Sequence, residues 1–146
     1  MEDWKSNLID DDDGIRQVLA STRTIAVLGM RPEAKSDRPA FYVPAYMSEA
    51  GYRIIPVPVA DPTVETILGE TTYRSLAEIP DEIDLVNVFR RPSDIPAHIP
   101  DILAKRPAAV WFQLGIRNDD AARRLAREGI KVIQGHCIMV DHRRLM

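Results

Sequence analysis

The sequence predicts an α/β domain, doubly wound, with a mainly parallel sheet and helices on both faces. Three observations carry this reading. Five short runs rich in β-branched residues are nearly continuously apolar rather than alternating, as strands covered on both faces are. The segments between them repeat apolar residues at three and four positions, the period of an amphipathic helix. Asn, Asp, Ser and Gly then fall where those helices would start and stop.

Taken in order, the strand runs are Thr24 to Leu28, Arg53 to Val57, Asp84 to Phe89, Ala109 to Leu114 and Lys131 to Gly135. Helical periodicity covers Ala40 to Ala50, Ile95 to Ala104 and Asp119 to Glu128. Ser93-Asp94 and Asn118-Asp119-Asp120 offer N-caps, and Gly51 and Gly129 stand where a helix would close in the left-handed conformation. Pro39 and Pro44 leave two starts open for the first of these helices, at Pro39 with a local distortion or near Pro44. Between Asp61 and Asp81, Leu68-Gly69-Glu70 reads as a turn or short edge segment, and Ser75 to Pro80 as one helical turn stopped by proline.

Length and composition bound the class. The chain has 146 residues, 45% hydrophobic and 28% charged, enough for one core without disulfide or metal staples. Residues 1–13 read as an acidic lead-in and 14–146 as a single domain. A net charge of -3 argues against nucleic acid as a partner, while leaving room for a local basic patch facing a phosphorylated small molecule. Cys137 is the sole cysteine, so no internal disulfide forms, and it sits in no zinc-ligand spacing. No apolar run approaches a membrane span and the acidic start is no export signal, so a cytoplasmic protein with no membrane partner is expected.

In doubly wound sheets ligands sit beyond the carboxyl ends of the strands. The first strand runs into Gly29-Met30-Arg31, then Lys35, Ser36 and Arg38 before a helix start, a setting suited to phosphate if the cations do not simply face water. Only Gly29 of a GxGxxG fingerprint is present, which disfavours ordinary NAD binding. The second strand ends in Val57-Pro58, a rigid apolar wall for an adenine or a bare sheet edge. Phe89-Arg90-Arg91-Pro92 ends the third; its guanidiniums meet a ligand's phosphates, or one of them pairs with Asp94. Gln113-Leu114-Gly115 ends the fourth, behind Trp111 and Phe112, which belong to the core. Cys137 closes the last strand as a buried or ligand-facing thiol. His136, its strand neighbour, should point to the opposite face and serve as no base for it.

These strand ends, together with Gly51 to Val57, Ile67 to Glu70, Asp84 to Arg90, Trp111 to Ile116 and the late Cys137, occur in an order and spacing that carry a resemblance. Over about residues 14 to 145 the chain resembles the small stand-alone CoA-binding proteins of the succinyl-CoA synthetase α-subunit-like superfamily. The resemblance implies a Rossmann-like, nucleotide-binding fold holding coenzyme A at the strand ends. Carried over by position, it assigns the ligand loops to Gly29, Met30, Arg31, Ser36, Arg38, Val57, Pro58, Phe89 to Pro92, and Gln113 to Gly115. The phosphohistidine domain and partner subunit of the ligases have no counterpart in these residues, so ligase activity is not implied. His136 also stands where an asparagine or arginine is expected.

The function expected is therefore binding of CoA or an acyl-CoA by a module that performs no catalysis, a sensor or carrier. Two alternatives stay open: an enzyme using bound CoA or nucleotide, with redox chemistry through Cys137, and a regulatory subunit with a vestigial pocket. A homo-oligomer is equally open.

Overall fold

The computed structural model describes residues 3–146. The five apolar runs form one sheet of β1 (Thr24–Leu28), β2 (Arg53–Val57), β5 (Leu85–Val88), β6 (Ala109–Phe112) and β7 (Lys131–Ile133). Their order is β2-β1-β5-β6-β7 and every neighbour pairs in parallel. Strand order reverses between β1 and β5, the switch point at which a crevice opens in such folds. A small hairpin, β3 (Thr66–Ile67) and β4 (Glu70–Thr71), turns through Leu68 and Gly69, both at positive φ. The Leu68 amide donates to Glu33 Oε2 at 2.8 Å, which ties this turn to the loop after β1.

Five α-helices cover the sheet: α1 (Asp12–Ser21), α2 (Pro39–Glu49), α3 (Ile99–Lys105), α4 (Asp119–Arg127) and α5 (Ile138–Leu145). On one face Ile15, Leu19, Met47 and Ile138 pack on Ile25, Val27, Leu85 and the fully buried Trp111. On the other, Ile99, Ile102, Ala122 and Leu125 meet Ala26, Val86, Val110 and the fully buried Phe112. The expected core roles of Trp111 and Phe112 hold. Burying side chains of this size contributes about 1.5 to 3 kcal/mol each, so both faces are strongly specified.

Local chemistry explains the helix boundaries. Asn118 caps α4, its Oδ1 accepting from the Ala121 amide at 3.0 Å, while Gly51 and Gly129 follow α2 and α4 at positive φ. Helix α2 begins at Pro39 and carries Pro44 inside. Pro44 has no amide to give the Ala40 carbonyl, and the Arg31 amide takes that acceptor instead at 3.1 Å. The helix distortion thus anchors the loop that follows β1.

Two expectations change. The helix expected from Ile95 is a 3-10 segment over Pro92–His98 that becomes α3 only at Ile99, because Pro92, Pro96 and Pro100 interrupt the amide ladder. Residues 134–137 are not strand: β7 stops at Ile133, and Cys137 is the N-cap of α5, a helix the apolar pattern did not reveal. Strand alternation therefore does not govern His136 and Cys137. The lead-in, of which residues 1 and 2 lie outside the described part, packs on the sheet. Leu8 bridges Val132 in parallel, the Ile9 amide donates to Val132 O at 2.9 Å, and Asn7 Nδ2 reaches Ala126 O at 2.9 Å.

Gly29 is the most tightly enclosed of the glycines. It lies at φ +91, and a Cβ there would collide with the Phe89 carbonyl. Gly51 has a similar φ of +108 with open space around it. Alanine at Gly51 should therefore cost about 1 to 3 kcal/mol of strain, and alanine at Gly29 should cost that and the collision as well. Urea unfolding of the two variants measures the difference; equal losses would show that the Phe89 contact is not limiting.

Candidate functional site

The loops at the carboxyl ends of β1, β5 and β6 meet the first turns of α2 and α5 around a cleft of about 730 Å³. That volume falls in the range of small-molecule and cofactor sites. Gly29 and Arg31 come from the β1 loop, and Arg38, Pro39 and Ala40 from the entrance of α2. β5 contributes Phe89, Arg90, Arg91 and Pro92, and β6 contributes Gln113 to Ile116. Cys137, Met139 and Val140 close the cleft from α5, with Tyr42 and Val43 on α2 and Ala60 beyond β2.

Most residues singled out from the sequence are thus brought together. Four are not on the cleft wall. Met30 is fully buried beneath α2 with Val43 and Met47, and Val57 lies in the core of the opposite face. Pro58 borders a separate hollow with Thr72 and Tyr73, and Ser36 ends the 3-10 turn Glu33–Lys35, its amide bonded to Glu33 O. Met30 turns inward between Gly29 and Arg31, which do reach the cleft, and Val57 remains in β2, paired with Leu28. Met139 and Val140 were missed because α5 itself was not foreseen. Tyr42 and Val43 follow from a helix start at Pro39, one of the two starts left open.

The cations are held in place by carboxylates. Arg31 Nε meets Asp61 Oδ2 at 2.8 Å with both side chains about three-quarters buried. Asp94 Oδ2 bridges the two neighbouring arginines, 3.5 Å from Arg90 and 3.1 Å from Arg91. Both arginines, rather than one, make the ion pair expected with Asp94. Arg38 is more than half exposed, with the Asp37 carboxylate 4.0 Å away. The first turns of α2 and α5 border the same cleft, where the helix dipoles favour an anion, although in α2 Pro39 has no amide and the Phe41 and Tyr42 amides are given to Arg38 O. The Ile138 amide is already shared with Gln113 Oε1 at 3.4 Å.

His136 takes no part in this wall. Its Nδ1 lies 2.8 Å from buried Asp141 and its Nε2 lies 3.2 Å from Asp10, so both nitrogens are engaged and neither serves Cys137 as a base. Among the described residues no cluster of His, Cys, Asp and Glu could hold a metal ion. No helix is long and apolar enough to cross a membrane.

His98 reports on Arg90. Its Nε2 lies 3.3 Å from Arg90 Nε, and burial, followed by the Arg90 charge, holds its pKa below the usual 6.5. The folded protein then takes up this proton less readily than the unfolded chain. The corresponding stability is fully present above pH 6.5 and is lost as pH falls below that value. Replacing His98 by Gln should make stability less sensitive to acid between about pH 7.5 and pH 5. Urea midpoints across that range test this; an unchanged slope would remove His98 from the titration.

Comparison with known proteins identifies the family. A family model described as a CoA binding domain matches residues 23–143. The Bacillus subtilis (strain 168) protein YneT is 38% identical over 128 residues, spanning 88% of this chain and 91% of that one. A solved structure from Thermus thermophilus shares 40% identity at a TM-score of 0.87, over 94% of this chain and all of that one. Another, from Pyrococcus horikoshii OT3, shares 32% identity at 0.83, over 93% and 92% of the two chains. With a match over this much of its length, the chain belongs to the CoA binding domain family.

Proposed function

We propose that this protein binds coenzyme A or an acyl-CoA in the switch-point cleft, as a cytoplasmic binding or sensor module that performs no covalent chemistry. The observation that carries the reading is one cleft combining four arginines, two helix N-termini and an adjoining apolar wall. CoA requires that combination: a pyrophosphate and a ribose phosphate joined to a long, nearly neutral arm. Arg31, Arg38, Arg90 and Arg91 meet the phosphates, and Gly29 and Gly115 let the ligand approach the backbone. Phe89, Pro92, Gln113 and Leu114 line the path of the arm toward Cys137. Met30, Ser36, Val57 and Pro58 act from outside the cleft by shaping its loops.

On this reading CoA raises the melting temperature more than NAD at equal concentration, since stabilisation follows the ratio of ligand to its dissociation constant. Replacing Arg90 or Arg31 by Ala should weaken CoA by about 1.5 to 3 kcal/mol, the range for a charge-assisted bond in a shielded site. Calorimetry with unchanged affinity in both variants would place the phosphates elsewhere, and an equal or larger NAD shift would reverse the ligand ranking.

A second reading, redox chemistry with bound CoA, rests on Cys137 lining the cleft. The Cys137 thiolate would attack one sulfur of CoA disulfide, forming a protein–CoA disulfide and releasing the other CoA as thiolate. At about pH 8.5, near the ordinary thiol pKa, intact-mass measurement should then show one added CoA, removed by a reductant and absent from Cys137→Ser. Tight CoA binding without an adduct would leave Cys137 a structural residue.

A further inference from the structure

The cleft is polarised along the sheet. Its arginines come from the loops after β1 and β5, whereas the walls after β6 and β7 offer Leu114, Ile116, Met139 and Val140 and no charge. Large apolar side chains exposed on the described residues are Leu8, Tyr42, Leu114, Val140 and Met146. Three of these, at 43%, 68% and 47% exposure, border this one cleft from three separate elements. Half-buried Ile116, Met139 and Cys137 continue the same apolar surface inward. Exposure of Leu114 and Val140 is unfavourable unless something covers them, and they stand at the end of the cleft opposite the cations.

Resting on the CoA reading above, we propose that the apolar end bordered by Leu114 and Val140, beyond β6 and β7, takes the aliphatic acyl group of a CoA thioester. With the phosphates at the arginines, the pantetheine arm runs across the ends of β6 and β7 and delivers the thioester sulfur beside Cys137. The residues that line the cleft after β6 and β7 are mostly apolar and carry no charge, so an alkyl chain is covered and a terminal carboxylate is left without an ionic partner. The ligand is thus a CoA thioester whose acyl chain carries no charge.

Calorimetry on the full chain with CoA, hexanoyl-CoA and succinyl-CoA tests this. Each buried methylene contributes about fourfold in affinity, so hexanoyl-CoA should bind at least about tenfold tighter than CoA, and succinyl-CoA should show no such gain. In Leu114→Ser and Val140→Ser the ratio of hexanoyl-CoA to CoA affinity should fall toward one, whatever either change does to CoA itself. Equal affinities of CoA and hexanoyl-CoA in the wild-type protein would overturn the acyl assignment and leave CoA binding intact. A dimer in sedimentation that persists in hexanoyl-CoA and is abolished by Leu114→Ser would overturn it by giving the rim to a second copy. Absence of binding by all three ligands would overturn the CoA reading itself.

Discussion

The close passage of Gly29 beneath the Phe89 carbonyl sets the geometry on which the cleft depends. Around it the Gly29 amide donates to Val57 O and the Phe89 amide to Leu28 O, each at 2.8 Å. Three strand ends are thereby locked level at the switch point, and the chain leaves β1 and β5 in diverging directions from a common floor. A side chain at residue 29 would wedge β5 away from β1. The sequence suggested that this glycine admits a ligand to the backbone; in the fold its first duty is to admit the neighbouring strand.

The arginines are fixed before any ligand arrives. Arg31 is bound to Asp61, and Arg90 and Arg91 share Asp94, so part of the charge of the cleft is compensated within the protein. An anion entering here exchanges partners with these carboxylates, gaining guanidinium contacts while Asp61 and Asp94 return toward water. Such exchange lowers net affinity relative to bare cations, but it keeps three side chains from collapsing into the cleft and lowers the entropy lost on binding. Arg38, at the mouth of α2 and weakly paired, is placed to make the earliest contact.

Much of the fold was legible because a parallel sheet leaves a strong trace. Strands buried on both faces must be apolar throughout, and β1 and β2 begin and end where their runs do. The later strands stop one to two residues short of their runs: the Phe89 and Gln113 amides make a last bond to Leu28 O and Val88 O, and the chain then turns into the loops. What escaped reading was set by tertiary contacts. Helix α5 has only Ile138 and Asp141 buried, and its start at Cys137 is stabilised by Gln113 from another element. Met30 follows β1 and Val57 ends β2, but which way a side chain faces at a strand exit is decided by the packing of α2 and the sheet. Arg31, Arg38, Arg90 and Arg91 were legible because chain position at strand ends, rather than local conformation, brings them together.

The parallel bridge between Leu8 and Val132 bears on how the molecule behaves among its own copies. β7 is an edge strand, and a bare edge offers amides and carbonyls that template pairing with another chain. Residues 8 and 9 occupy part of that edge, and in the run Asp10-Asp11-Asp12-Asp13 immediately beyond, Asp12 pairs with Arg144 and Asp13 with Arg16. On the other border, Pro56 withholds an amide from β2 and the Tyr73 amide takes the Pro56 carbonyl at 3.1 Å. The lead-in thus caps part of the one sheet border that proline does not interrupt, leaving fewer open amides and carbonyls there for another chain to pair with.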